Sequence, residues 1–212
     1  MIPTLKVEYV PYTETELERW KKGNYSLVKG CPKPLKGILR QKALARPGRR
    51  FFGEAKVAAS IPHEESWYGS FKWITSPRWC SAQRLGTPYS EQFRDALMAH
   101  FPELAEFQQV ARRSAGRVSR KPVGPDLWLV TPHEHRFIEV KLPGDRTAEH
   151  QLLGLALIAT HLRAQRPISV ELAQLYSESH PDTAEPLQQH FELFVDVLPR
   201  TKPADRTERL QR

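Results

Sequence analysis

Three charged residues stand at spacings that suit metal-assisted chemistry: Asp126 in Gly124-Pro125-Asp126, and Glu139 and Lys141 in Glu139-Val140-Lys141. In a β-strand successive side chains point to opposite faces, so Glu139 and Lys141 project together while Ile138 and Val140 turn towards a core. Asp126 opens the apolar run Leu127-Trp128-Leu129-Val130, which reads as a neighbouring strand. If the two strands pair through a turn at 131–135, the carboxylates of Asp126 and Glu139 come close enough to share one hard divalent cation.

The elements that must hold these residues can be read around them. Thr87-Pro88 suits a helix start, with Thr87 capping and Pro88 in the first turn. Tyr89, Phe93, Leu97 and Phe101 then recur every four residues as one apolar stripe, and Leu104, Phe107 and Val110 continue a second segment beyond Pro102. Glu91 lies in the first turn of this helix, where the helix dipole favours a carboxylate. Part of 111–121 could form a short first strand, and its basic residues Arg112, Arg113, Arg117, Arg120 and Lys121 could clamp phosphates. Beyond Gly144-Asp145, Leu152, Leu155, Ala156, Ala159 and Leu162 predict a helix over 147–164, capped by Asp145 or Thr147, with Gln151 near its N-terminal end. Alternation in Ile168-Ser169-Val170-Glu171-Leu172 predicts a further strand, and Leu187, Phe191, Phe194, Val195 and Leu198 a C-terminal helix before a charged tail at 199–212.

The N-terminal region is less explicit. Thr13-Glu14-Thr15-Glu16 has the form of a capping box and opens a short helix ending at Gly23. The basic, Pro/Gly-punctuated segment 24–50 reads as an irregular arm, either solvated or tracking a nucleic-acid backbone. Aromatic and β-branched residues in 51–61 and 66–75 suggest a hairpin. Trp67, Tyr68, Phe71, Trp73 and Trp79 there could stack on bases, or form a small core, which is the commoner use of such a cluster.

The ordered set Pro125-Asp126, Glu139-Val140-Lys141, Gly144-Asp145 and Gln151 resembles the PD-(D/E)xK nuclease superfamily, and within it the VRR-Nuc (virus-type replication-repair nuclease) family. The resemblance spans about 87–176; Gly124-Pro125-Asp126 lacks the extra residue that many members carry between Gly and Pro. It implies an α/β fold with a restriction-endonuclease-like core, a central mixed sheet flanked by helices, over 87–198. Residues 1–86 would then be a β-rich accessory region and 199–212 a flexible tail. It also implies divalent-metal-dependent DNA endonuclease activity with Mg²⁺ or Mn²⁺, preferring branched or flapped DNA in repair or recombination. Asp126, Glu139 and the Val140 carbonyl would hold the ion, Lys141 would orient water and stabilise charge, Gln151 would position either, and Glu91 would add a carboxylate. Asp145 reads as a helix cap.

Composition is compatible with this reading. The chain has 212 residues, 32 Lys and Arg against 24 Asp and Glu, a net charge of +8 and a pI near 9.6, a field suited to DNA. Cys31 and Cys80 are isolated, which disfavours a zinc finger or a structural disulfide. His133-Glu134-His135 lacks zinc-ligand spacing, and no Walker or Rossmann glycine pattern is present. With no apolar leader or membrane-length run, a cytoplasmic location is expected, or secretion into a target cell by a route that uses no cleavable signal. The latter belongs to a second setting for the same chemistry, a type VI secretion toxin countered by an immunity protein. A reading of another class is a non-catalytic nucleic-acid-binding module. A homodimer would suit paired cuts.

Overall fold

The computed structural model describes residues 5–69, 72–75, 87–115 and 121–180. Within them is an α/β fold, one mixed five-stranded sheet with helices on both faces. The strands are β1 (Lys6–Tyr12), β2 (Glu65–Tyr68), β3 (Leu127–Val130), β4 (His135–Lys141) and β5 (Ile168–Ser177), in the order β1-β5-β4-β3-β2. β4 and β1 flank β5 in parallel; β3 pairs antiparallel with β4 and with β2. The helices are α1 (Glu14–Lys21), α2 (Lys33–Ala45), α3 (Phe52–Ser60), α4 (Thr87–His100), α5 (Leu104–Ala115) and α6 (Glu149–His161).

Strand alternation divides the helices into two layers. Trp128 and Phe137 lie on one face, their rings stacked at 5.9 Å, and meet Trp67, Phe93 from α4, Phe101 just beyond it, and Trp73, which in turn packs on Phe107 from α5. On the other face lie Ile138 and Val140, and α3 packs there with Phe52 against Tyr12 of β1 and Trp20 of α1. Of the two uses open to the aromatic cluster, core is the one found for Trp67, Tyr68 and Trp73, which are all buried, and it is the core of the main sheet. Phe71 and Trp79 lie outside the described residues.

Several local expectations hold. Thr13 and Glu16 form the capping box of α1, α4 begins at Thr87, and Tyr89, Phe93, Leu97 and Phe101 are all buried. The Tyr89 hydroxyl accepts the Tyr68 N–H at 2.7 Å and donates to its carbonyl at 3.0 Å, covering one end of the edge strand β2. β5 runs to Ser177, longer than the five residues whose alternation announced it.

Three expectations are corrected. The boundary after residue 86 does not separate an accessory unit, because β1 pairs along its whole length with β5, β2 extends the same sheet, and α1 and α3 pack with the face opposite α4 and α5. The first arm of the expected hairpin is α3: burial of Phe52, Ala55 and Ala58 follows helical spacing, and Ala-rich chain favours helix. The irregular arm is ordered as a 3-10 turn (Ser26–Gly30) and α2, whose Leu35, Ile38, Leu39 and Ala43 are buried; Pro34 is tolerated in the first turn. Of 111–121, part of which was expected to form a short strand, residues 111–115 belong to α5, which leaves the strand itself untested. Residues 116–120, the C-terminal helix near Pro186 and the tail lie outside the described residues.

Candidate active site

Antiparallel pairing sets Leu127 opposite Ile138, so Asp126, one residue earlier, comes opposite Glu139. The turn between the strands is held by Thr131 Oγ1, which accepts the N–H groups of His133 and Glu134. Asp126 is fixed at both its main chain and its carboxylate. The Gly69 N–H donates to its carbonyl at 2.9 Å, and its Oδ2 accepts the Val140 N–H at 3.0 Å. The segment leading to it rests on α6 through the Val123 N–H, which donates to the His150 carbonyl at 3.1 Å. Gly154 permits that approach, since a Cβ there would stand 1.9 Å from the Val123 oxygen.

Glu139 and Lys141 share a face, as strand alternation predicts, and are buried there as an ion pair with Nζ 3.0 Å from Oε1. Gln151, in the first turn of α6, binds both: Lys141 donates to its Oε1 at 2.9 Å, and its Nε2 donates to Glu139 Oε1 in a short bond. Gln151 Oε1 also accepts the Ala148 N–H at 2.9 Å, so this glutamine closes the start of α6. Asp145 and Thr147 do not cap that helix. Asp145 Oδ2 instead accepts the Leu142 N–H at 3.1 Å, and Oδ1 pairs with Arg49 at 3.2 Å.

These residues line an open cleft of about 560 Å³ whose wall also includes Arg49, Arg50, Phe51 and Glu54. The carboxylate contributed by an earlier helix is thus Glu54 of α3, where Glu91 was expected; Glu91 is exposed on α4 and is not among the cleft-lining residues. α3 can come this close because of Gly53, where a Cβ would meet Val140 Cγ1 at 2.8 Å. Glu54 escaped the sequence reading because Phe51-Phe52 suggested a strand; the signal that pointed to it was the alanine spacing of a helix. The cations of the cleft differ from those expected as well. Arg112 and Arg113 are exposed near the end of α5 and Lys121 is exposed ahead of Asp126, none of them lining the cleft, whereas Arg49 and Arg50 do. Arg117 and Arg120 lie outside the described residues.

Crowding of carboxyl groups dominates the electrostatics. Burial, then the charge of Asp126, pushes Glu54 up to about 8. Burial and Asp126 likewise raise Glu139 well above the usual carboxylate range, against the pull of Lys141. Burial also raises Asp126, opposed by its bond from Val140 N–H and by Lys141. The group is one that gains from an added cation, and its donors are hard oxygens. Among the described residues, no three His, Cys, Asp or Glu side chains already converge in metal-binding geometry. The carboxylates of Asp126 and Glu139, both lining the cleft and coupled to one another, are the side-chain oxygens available to a cation there.

Comparison with family models, curated proteins and solved structures finds no match to this chain. Among the described residues, no helix is long and apolar enough to cross a membrane.

Proposed function

We propose that this chain is a divalent-metal-dependent DNA endonuclease built on a restriction-endonuclease-like core. One observation carries the reading: Asp126, Glu139 and Lys141 meet at the ends of two paired strands in a cleft open to solvent, with Gln151 tying the acid to the lysine.

Asp126, Glu139 and the Val140 carbonyl are the oxygens that would hold Mg²⁺ or Mn²⁺. Bound there, the ion supplies Lewis-acid charge for a phosphodiester and an acidified water. The chain's own groups do the rest. The Val140 N–H holds the Asp126 carboxylate in place, and Gln151 keeps Glu139 and Lys141 in register. Lys141 presents an ammonium beside the acid pair, where it orients the attacking water and stabilises negative charge that grows on the phosphate oxygens. The net charge of +8 supports a polyanionic substrate, and Arg49 and Arg50 put positive charge at the cleft itself.

The test is cleavage of plasmid and oligonucleotide DNA by the purified chain. Cutting is expected with Mg²⁺ or Mn²⁺ and lost in EDTA, and Asp126→Ala and Lys141→Ala should bind DNA without cutting it. Equal cleavage by these variants and the parent would refute the site. Binding with no cutting under any divalent ion would favour a non-catalytic module.

A further inference from the structure

The cleft wall formed by Arg49, Arg50 and Phe51 has no part in holding an ion, yet its backbone is fixed from several directions. The Trp20 indole N–H donates to the Arg50 carbonyl at 3.0 Å, the Phe52 N–H to the Arg49 carbonyl at 3.3 Å, and the Ala55 N–H to the Phe51 carbonyl at 3.2 Å. Phe52 is fully buried against Tyr12 and Trp20. Phe51, its neighbour, has φ = 62°, the one positive φ on a non-glycine residue among those described. That left-handed step turns two consecutive phenylalanines apart, one into the core and the other, half-buried, onto the cleft that holds Asp126, Glu139 and Lys141.

A turn of this kind is adopted without strain by Gly and readily by Asn, so backbone geometry gives no reason for an aromatic ring. The ring is held by its surroundings: it packs on the core, meets Tyr68 edge to face at 5.9 Å, and has the Lys42 ammonium over its face, 5.7 Å from the centroid, so that any base must take the opposite face. Beside it, Arg49 is engaged with Asp145 and the Pro143 carbonyl, while Arg50 makes no ion pair among the described residues. A fixed aromatic ring with a neighbouring unpaired guanidinium is the pairing that grips a nucleotide, since bases offer a π-face and the strand offers phosphates.

Resting on the nuclease reading above, we propose that Phe51 is a positioning residue that stacks on the nucleobase adjoining the scissile phosphate, with Arg50 taking a neighbouring phosphate of the same strand. The base must then present a free face, which ties cutting to positions where one side of the stack is open.

Two measurements decide it. In the first, single-turnover cleavage is compared for Phe51→Ala, Phe51→Leu and Phe51→Tyr on DNA with an abasic site at each position flanking the mapped cut. One abasic position should slow the parent about tenfold. It should add nothing to the slower Phe51→Ala and Phe51→Leu, and Phe51→Tyr should match the parent. Parental rates in Phe51→Leu, or an abasic penalty equal in parent and variant, would overturn the proposal. In the second, Lys141→Ala protein binds DNA carrying 2-aminopurine at those positions. Quenching at one position, lost on adding Phe51→Leu, supports stacking; no quenching, or quenching unchanged by Phe51→Leu, overturns it. Because this readout needs no cutting, it separates failure of the Phe51 role from failure of the nuclease reading, which shows as absence of divalent-dependent cleavage in the parent.

Discussion

Glu54 on α3 and Asp126 ahead of β3 reach one cleft from opposite sides of the sheet, close enough that the charge of Asp126 adds to burial in pushing Glu54 up to about 8. Removing that carboxyl should therefore matter where removing Glu91 does not. Glu54→Gln is expected to lower the single-turnover cleavage rate by about a hundredfold, a typical effect of losing one group that handles charge or protons, and Glu91→Gln to leave it unchanged. Equal rates for Glu54→Gln and the parent would take Glu54 out of the chemistry.

Stability without divalent ions should depend on pH in a direction the crowded carboxyls set. The folded pKa of Glu54 lies above its ordinary value of 4.5, so between the two the folded chain binds more protons than the unfolded one and stability falls as pH rises. His135 works the other way: burial holds it down to about 4 against an ordinary 6.5, so below 6.5 its contribution grows with pH. From pH 6.5 to 8.5 the carboxyls act alone of these groups. Tm in EDTA should fall across that window, less in Glu54→Gln, and Mn²⁺ should raise Tm at pH 8.5 in the parent but not in Asp126→Ala. A flat Tm profile for the parent would contradict the crowding.

Gly154 is a second point where the site depends on close approach. A Cβ there would lie 1.9 Å from the Val123 carbonyl oxygen, so Gly154→Ala must push α6 away from the chain leading to Asp126. A loss of about 1–3 kcal/mol is expected in urea unfolding, as for overpacking generally, with cleavage reduced beyond what the lost stability explains. By contrast, a Cβ at Gly37, in α2, meets nothing within 4 Å, and Gly37→Ala should leave stability no lower than the parent's.

Arg136 of β4 forms a buried pair with Glu171 of β5, their side chains 12% and 1% exposed, and also reaches Glu8 of β1 at 3.0 Å. It ties three adjacent strands together on the face opposite Glu139. Arg136→Met strands the Glu171 carboxylate in the interior and should destabilise the fold by about 3–5 kcal/mol. Pairing it with Glu171→Gln should recover part of that loss, and chemical denaturation of the two variants measures both. A loss below about 1 kcal/mol for Arg136→Met would show that the pair is not isolated from solvent.

Much of the site could be read from short stretches. Alternation in a strand depends on backbone geometry alone, so the shared face of Glu139 and Lys141 follows from their being two apart, and the turn length from Asp126 to Glu139 constrains the pairing. The stripe of α4 and the position of Gln151 early in α6 were legible for the same reason, since a 3.6-residue period repeats locally. Segments 24–50 and 51–61 were misread because proline, glycine and aromatic content are weak local signals that tertiary burial of one face can override.

Strand and helix periodicity alone thus bring an acid, an acid–lysine pair and a glutamine to one place. Their surroundings come from long-range packing. That Glu54 rather than Glu91 joins the cleft, and that Arg49, Arg50 and Phe51 form its wall, depends on β1 closing onto β5 and on α3 packing at Gly53 against Val140. Those are contacts between residues far apart in the chain, fixed by burying one apolar face on another, and no local spacing encodes them.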